Sequence, residues 1–275
     1  MSVKSEMKWI VPPASWALPD WKEIWHYRSL MFQFATKDFK VRYMQTWLGA
    51  LWAWINPLIS AALLYFVFNK VASTHLPFNG FVFVMSGMVS WTFIASLVPE
   101  SMQGMMGAQA MIKKIYFPRL ILPLSKMAGA MVETMVTLLL FFAVCIWQQQ
   151  WPQWQGMVLL PIYLLMMMVI GLGMAMWATV MVLISRDFLH VIPHMIRLGM
   201  FVCPIAYPAS LVPQKWQWLY FANPVSGLIE GFRAMLFEGY DLHPLIWISV
   251  ISSVILLITG LLMFRKYEYT IADIL

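Results

Sequence analysis

The chain has 275 residues, 61% hydrophobic and 11% charged, with a formal net charge of +6 and a mean hydropathy of +0.73. Soluble domains carry about 25% charged residues. So little charge cannot cover a surface in water, so lipid is the expected solvent and soluble enzymes or binding modules are excluded.

Residues 1–46 read as a cytoplasmic segment. Pro12, Pro13 and Pro19 break its start, and no cleavable signal peptide is expected, because the first long apolar run begins only at Trp47. Asp20 and Glu23 have capping-box spacing before a helix predicted from Trp21 to Val41. Ile24, Tyr27, Met31 and Phe34 fall on one face, with Lys22, His26, Ser29, Gln33, Lys37 and Lys40 on the other. That pattern predicts an amphipathic helix lying in the membrane interface.

Residues 47–275 form the membrane domain, with spans predicted at about 47–68, 81–106, 121–147, 157–184, 188–207 and 245–264. Pro57 removes a helical donor inside the first span and predicts a kink there. Trp47, Trp54 and Tyr65 share a face of that span. They offer rings either to a substrate or to neighbouring helices. Glu100 and Glu133 fall inside the second and third spans. Intramembrane carboxylates are either paired or functional, and the sequence leaves that choice open. Gly171 and Gly173 predict close helix approach in the fourth span. Cys145 and Cys203 lie in apolar runs without a CxxC pair and read as buried, inert thiols. His190 and His194 stand at i, i+4, but Val191 excludes HExxH, and no metal is expected.

Between the second and third spans, residues 108–126 (AQAMIKKIYFPRLILPLSK) carry Lys113, Lys114, Arg119 and Lys126 and no acid. A short basic loop beside membrane spans is placed in the cytoplasm by the positive-inside rule. It sets topology and also offers a surface to a soluble partner. Ser185-Arg186-Asp187 is the second inside loop. With this topology 15 of the 18 Lys and Arg residues are cytoplasmic, as are both termini.

After Cys203 the pattern breaks. Pro204, Pro208, Pro213 and Pro224 forbid one straight helix, yet the stretch is too apolar for a free loop. Irregular backbone at membrane depth must be buried or line a cavity. Residues 208–237 therefore read as short re-entrant helices on the outer side, able to act as a gate, with Glu230 and Arg233 paired. The expected fold class is all-α integral membrane: six transmembrane helices, an N-terminal interfacial helix and re-entrant helices before the last span.

No GxxxxGK[ST], GxSxG or HExxH motif is present. An enzyme lacks a constellation here, whereas a transporter subunit can take its energy from a partner. Four stretches carry a resemblance: KDFKVRYMQTWLGALWAWINP at 37–57, IKKIYFPRLILPL at 112–124, SRD at 185–187, and CPIAY…VP…ANP…GFR between 203 and 233. In order and spacing they resemble the permease subunit of ABC-2 type polysaccharide exporters, the Wzm, KpsM and TagG group, from about residue 25 onward. The load of Met and Trp and the position of Glu100 depart from the group.

The resemblance implies a homodimer in the bacterial cytoplasmic (inner) membrane, joined by two copies of a separate ATP-binding subunit. That partner holds ATP and Mg; this chain binds no cofactor and no nucleic acid. Lys113, Lys114, Phe117, Pro118 and Arg119, with Arg186 and Asp187, would meet the ATPase. Spans one and five would line the path of a lipid-linked glycan of O-antigen, capsule or teichoic acid type, through Trp47, Trp54, Tyr65, Phe201 and Tyr207. Lys37, Lys40 and Arg42 would attract the carrier diphosphate, or only anionic lipid. The gate would comprise Pro204, Pro208, Pro213, Asn223, Pro224, Gly227, Glu230 and Arg233. The alternatives are an ABC-2 permease for a drug or another lipid, and a membrane-embedded glycan or lipid transferase.

Overall fold

The computed structural model of the chain describes residues 21–43, 49–71 and 76–268, and for a few of them the backbone alone. Trp47, Asp20 and the side chain of Arg42 lie outside what is described. Every regular element among the described residues is a helix. In hydrocarbon each backbone polar group must find its partner within the protein, and a helix does so within one segment.

Helices α1 (Trp21–His26) and α2 (Arg28–Tyr43) make the predicted N-terminal helix, interrupted at Tyr27. Ile24 is buried, and Tyr27, Leu30, Met31 and Phe34 pack beside it on a cluster that includes Phe117 and Ile121. Lys22, His26, Ser29, Gln33, Lys37 and Lys40 are exposed. The face assignment from spacing therefore holds, and part of the apolar face is taken by protein.

Four helices are long and apolar enough to cross a membrane: α4 (Gly80–Gly107), α6 (Ile121–Trp147), α7 (Trp154–Ile184) and α11 (Ile246–Glu268). At about 1.5 Å per residue, 27 residues reach about 40 Å, past a hydrocarbon core of about 30 Å. Helices α3 (Trp52–Tyr65) and α8 (Phe188–Val202) are shorter apolar helices, and α3 runs on into a wider π-helical turn, Phe66–Val71. The short helices α5 (Gln109–Ile112), α9 (Gln214–Ala222) and α10 (Pro224–Leu236) complete the set.

One boundary differs from expectation. The fifth apolar run was predicted to continue to 207, but α8 stops at Val202 and Cys203 is extended, at φ −79° and ψ 153°. Pro204 disfavours helical geometry in the residue before it. The stretch from Cys203 to Ala206 is buried irregular backbone.

Helix α4 is the centre of the bundle. It packs against α3, α6, α7, α8 and α10, and 78% of its most apolar stretch is buried, against 17% in α11. Small residues allow the close approaches. A Cβ at Gly171 would come 2.4 Å from Phe93 of α4, and one at Gly173 would come 2.9 Å from the backbone of α11. Two residues apart on a helix face nearly opposite ways, so this pair seats α7 between two neighbours.

The bundle has two distinct ends. Met105, Phe117, Leu120, Val180, Leu183 and Phe264 cluster at one, with Ile24 of α1. Lys113, Lys114 and Arg186 belong to the loops there, so it is the basic end. At the opposite end Phe78, Phe83, Phe141, Phe237 and Tyr240 form an aromatic cluster.

Candidate functional site

At the basic end the 108–120 loop divides into anchor and exposed tip. Phe117 and Pro118 are buried, and the Phe117 ring lies 6.2 Å from that of Phe34 on α2. Lys113, Lys114, Ile115 and Tyr116 are exposed, the last two at 60% and 51%. Arg119 is half-buried. In the 185–187 turn, Arg186 and Asp187 are exposed and Ser185 donates to Asp187 Oδ2 at 3.1 Å. The packing of Phe117 and Leu183 in one cluster brings both loops to the same end. The exposed members can dock a partner; Phe117 and Pro118 hold the loop to the bundle.

Above this loop lies a cavity of about 600 Å³, lined by Phe34 and Lys37 of α2, Glu100, Gln103 and Gly104 of α4, and Lys126 of α6. Gly104 makes room for Lys126: a Cβ there would fall 2.4 Å from its Cε. Of the three cationic residues suggested for a diphosphate, Lys37 lines this cavity and Lys40 is exposed away from its lining.

A second cavity of about 290 Å³ lies between α3, α4, α6 and α8. It has Glu100 in common with the first. Glu133 also lines it, so the two intramembrane carboxylates converge on one space. Sequence reasoning singled out the carboxylates and missed their hydroxyl and amide neighbours. The signal was legible: Thr92, Ser96 and Glu100 stand four apart on α4, as do Asn56 and Ser60 on α3.

The aromatic candidates are split. Trp54 is 39% exposed and Phe201 52%. Tyr65 stacks edge-on against Phe81 of α4 at 5.9 Å, so it packs within the protein. Tyr207 lies 6.0 Å from Phe68 and 6.5 Å from Tyr220, and its hydroxyl donates to the Val202 carbonyl at 2.7 Å. It closes the end of α8 onto the turn after α3.

The broken segment divides as well. Pro204 and Pro208 are buried, whereas Pro213 and most of α9 are exposed, with Trp216 at 51% and Trp218 at 56%. Asn223 caps α10 by accepting from the Val225 N–H at 3.1 Å, and Pro224 stands where its missing N–H costs nothing. Gly227 faces α11, where a Cβ would fall 2.3 Å from Ser249.

Arg233 of α10 is the largest fully buried side chain among the described residues. Its Nε donates to Ser86 Oγ at 2.9 Å, and its two terminal nitrogens reach Glu230 Oε1 at 3.2 Å, the Phe83 carbonyl at 3.1 Å and the Ile205 carbonyl at 2.9 Å. The guanidinium also lies 3.5 Å from the Phe83 ring centre. Glu230 accepts in addition from the Ala209 N–H and the Tyr240 hydroxyl. Burial is the main cause raising the Tyr240 phenol above its ordinary range; nearby Arg233 opposes this and Glu230 adds to it. The predicted pairing of Glu230 with Arg233 is present. Its reach into α4 and the 203–209 turn was not legible, because Ser86 lies 147 residues away.

His194 Nδ1 lies 2.8 Å from the His190 carbonyl oxygen, so that ring is engaged with its own helix. Among the described residues no group of three His, Cys, Asp or Glu side chains is placed to hold a metal ion.

Residues 30–237 match the profile of a family described as "ABC-2 type transporter". Two Klebsiella pneumoniae proteins named "O-antigen export system permease protein RfbA" are 29% and 28% identical over 247 residues, covering 90% of this chain and 95% of each relative. A Myxococcus xanthus protein of the same name is 25% identical over 240 residues, covering 86% and 91%.

Proposed function

The chain belongs to the ABC-2 type transporter family, and from that membership we propose that it is the permease subunit of an ATP-driven exporter of lipid-linked polysaccharide of the O-antigen type. The names of its relatives support the substrate class. The observation that carries the reading is the uneven polarity of the bundle at membrane depth. Glu100, Glu133, Ser60, Thr92 and Ser96 are half-buried and Asn56 exposed around one cavity. The outward residues of α7 and α11, such as Ile162, Leu165, Ile251 and Ile255, are apolar. Ionisable groups within spans face a bundle interior or a water-filled cavity. The α3–α4–α8 face therefore turns toward a second copy and a path between the copies, while α7 and α11 meet lipid.

In this reading α3 and α8 complete six spans with α4, α6, α7 and α11, both termini being cytoplasmic. The basic end faces the cytoplasm in a bacterial inner membrane. Lys113, Lys114, Ile115, Tyr116, Arg186 and Asp187 present the surface on which a separate ATP-binding subunit docks, one per permease copy. The aromatic end faces outward, with α9 at its rim. The work of hydrolysis belongs to the partner; this chain supplies path, docking surface and gate.

The test is deletion of the chain's gene in its own bacterium. Surface polysaccharide should disappear while lipid-linked polysaccharide accumulates inside, and a plasmid copy should restore export. Unchanged surface polysaccharide overturns the proposal.

A further inference from the structure

We propose that His190, His194 and Arg197 of α8 form a binding site for a phosphate ester at membrane depth, and that its ligand is the phosphate link between a glycan and its lipid carrier. This rests on the reading of the chain as a permease for lipid-linked polysaccharide and adds a site to it. The three residues stand at i, i+4 and i+7, which places them on one face of the helix. All three are exposed. Ile192 and Ile196, on nearly the opposite side, are the buried residues of α8, so the cationic face points away from the bundle.

Depth constrains this face. Arg197 follows Asp187, in the turn at the basic end, by ten residues, or about 15 Å of helix rise. That is about half of a hydrocarbon core of ~30 Å. Snorkelling relieves a long cation near a helix end, whereas one deep in a span needs a partner or a water-filled path. Arg197 forms no hydrogen bond or ion pair among the described residues. Its guanidinium stays charged and offers a planar fork that fits two oxygens of a phosphate. His194 is held in place, with Nδ1 2.8 Å from the His190 carbonyl oxygen. A carbonyl oxygen only accepts, so Nδ1 carries the proton and Nε2 is left for a ligand. That nitrogen accepts from a hydroxyl when the ring is neutral and donates to a phosphate oxygen when the ring is charged.

The faces on either side select the ligand. At about 3.6 residues per turn, the cationic face of α8 lies between two others. On one side is Met200, which lines the cavity bordered by Asn56, Ser60, Thr92 and Ser96. On the other are Val191, Leu198 and Val202, exposed and apolar. The order around the helix is therefore hydroxyl and amide groups, then cations, then hydrocarbon. A lipid-linked glycan has the same order: sugar, phosphate, tail. A phospholipid with a small headgroup matches only the cations and the hydrocarbon. An acid on a second copy would match only the cations.

The test uses the full complex of permease and ATP-binding subunits in nanodiscs of zwitterionic phospholipid. Two fluorescent probes are compared: a polyprenyl diphosphate bearing a short neutral oligosaccharide, and the same oligosaccharide joined to the same tail through an ether without phosphate. The diphosphate probe should bind about tenfold more tightly, the factor that about 1.4 kcal/mol of charge-assisted bonding gives. Arg197→Gln should bring the two affinities within about twofold of each other. His190→Gln with His194→Gln leaves Arg197 in place and should narrow the difference in part; this variant decides the matter if Arg197→Gln fails to assemble. Equal binding of both probes by the unsubstituted complex overturns the proposal, as does a difference that these substitutions leave unaltered. Equal weakening of both probes by Arg197→Gln also overturns it, by tracing the residue to packing or to a second copy. Displacement of the diphosphate probe by an equal concentration of phosphatidate would assign the face to bilayer headgroups and overturn it too. Deletion of the gene decides the glycan reading separately. Loss of export on deletion together with any of these adverse results removes this site alone, and unchanged export removes the reading and the site with it.

Discussion

Arg233 shows how a single residue organises the end of the bundle. Its guanidinium meets four acceptors from three parts of the chain: Ser86 and Phe83 of α4, Ile205 in the turn after α8, and Glu230 on its own helix. A Cβ at Gly87 would lie 3.2 Å from its terminal nitrogen and 2.8 Å from the Ile205 backbone, so the glycine beside Ser86 leaves room for the junction. Arg233→Met strips these bonds and leaves Glu230 buried without its cation. Breaking a buried pair in this way costs about 3–5 kcal/mol, and the folded fraction in detergent, followed by thermal unfolding, should fall accordingly. Arg233→Lys should not restore it, because an ammonium cannot copy the planar fork. Arg233→Met combined with Glu230→Leu should recover part of the loss, since an apolar pair removes the stranded charge. A double variant no more stable than Arg233→Met alone would show that Glu230 matters chiefly through Ala209 and Tyr240. The sequence revealed the i, i+3 pair and nothing of its depth, because spacing reports neighbours on one helix and not what another helix brings.

At the scale of elements, the broken segment is two units with different freedom. Helix α10 packs against α4, α7 and α11, most of its residues are buried, and Arg233 ties it to α4. Helix α9 packs on α11 and α10. Phe221, at its end, is buried and stacked 4.4 Å from His243, while Trp216, Trp218 and Leu219 stand exposed. Motion in a packed bundle is drawn from the parts with fewest buried contacts. We therefore expect α9 to move during transport and α10 to stay with the bundle. Cysteine at Lys215 should react with an impermeant thiol reagent from outside at a rate that differs several-fold between nucleotide-free and ATP-trapped complexes. Cysteine at Ala234 should not change. An Ala234 response as large as that at Lys215 would mean that the whole segment swings. The four prolines made the break legible from sequence. Which piece is anchored depends on Gly227 against Ser249 and on Gly156, where a Cβ would fall 2.1 Å from the Met235 carbonyl oxygen. Those close approaches exist only once the helices have met. Helix α6, Ile121–Trp147, covers one of the apolar runs read from hydropathy and length, the two properties that a helix in lipid must satisfy.

For the whole molecule, the polarity of its sides bears on the proposed pairing of two copies. Copies related by a two-fold axis would bury the same patch on each, and the half-open polar cavity beside α3 and α8 is the patch that lipid tolerates least. A cysteine at Asn56 should cross-link to its counterpart with a short bifunctional thiol reagent in native membranes. A cysteine at Ile255 on α11 should not. The reverse pattern would place α11 at the dimer contact and turn the polar cavity away from the partner copy. Which helix faces are outermost was not legible in the pattern of residues, since α7 and α11 are apolar nearly all round.

The central place of α4 bears on how the chain is made. The helix is synthesised early, but α6, α7 and α10, which cover much of it, come later, and Arg233 follows its acceptor Ser86 by 147 residues. In lipid, helices associate through close packing and hydrogen bonds rather than through apolar burial, so α4 has no reason to hide before those neighbours exist. During synthesis it waits in the bilayer with Ser86, Ser90 and Ser101 uncovered, all three fully buried in the finished protein. The last third of the chain therefore certifies the first. A ribosome that stops before residue 224 leaves Ser86 without the Arg233 that meets it in the finished protein, so this one contact separates an unfinished chain from a complete one.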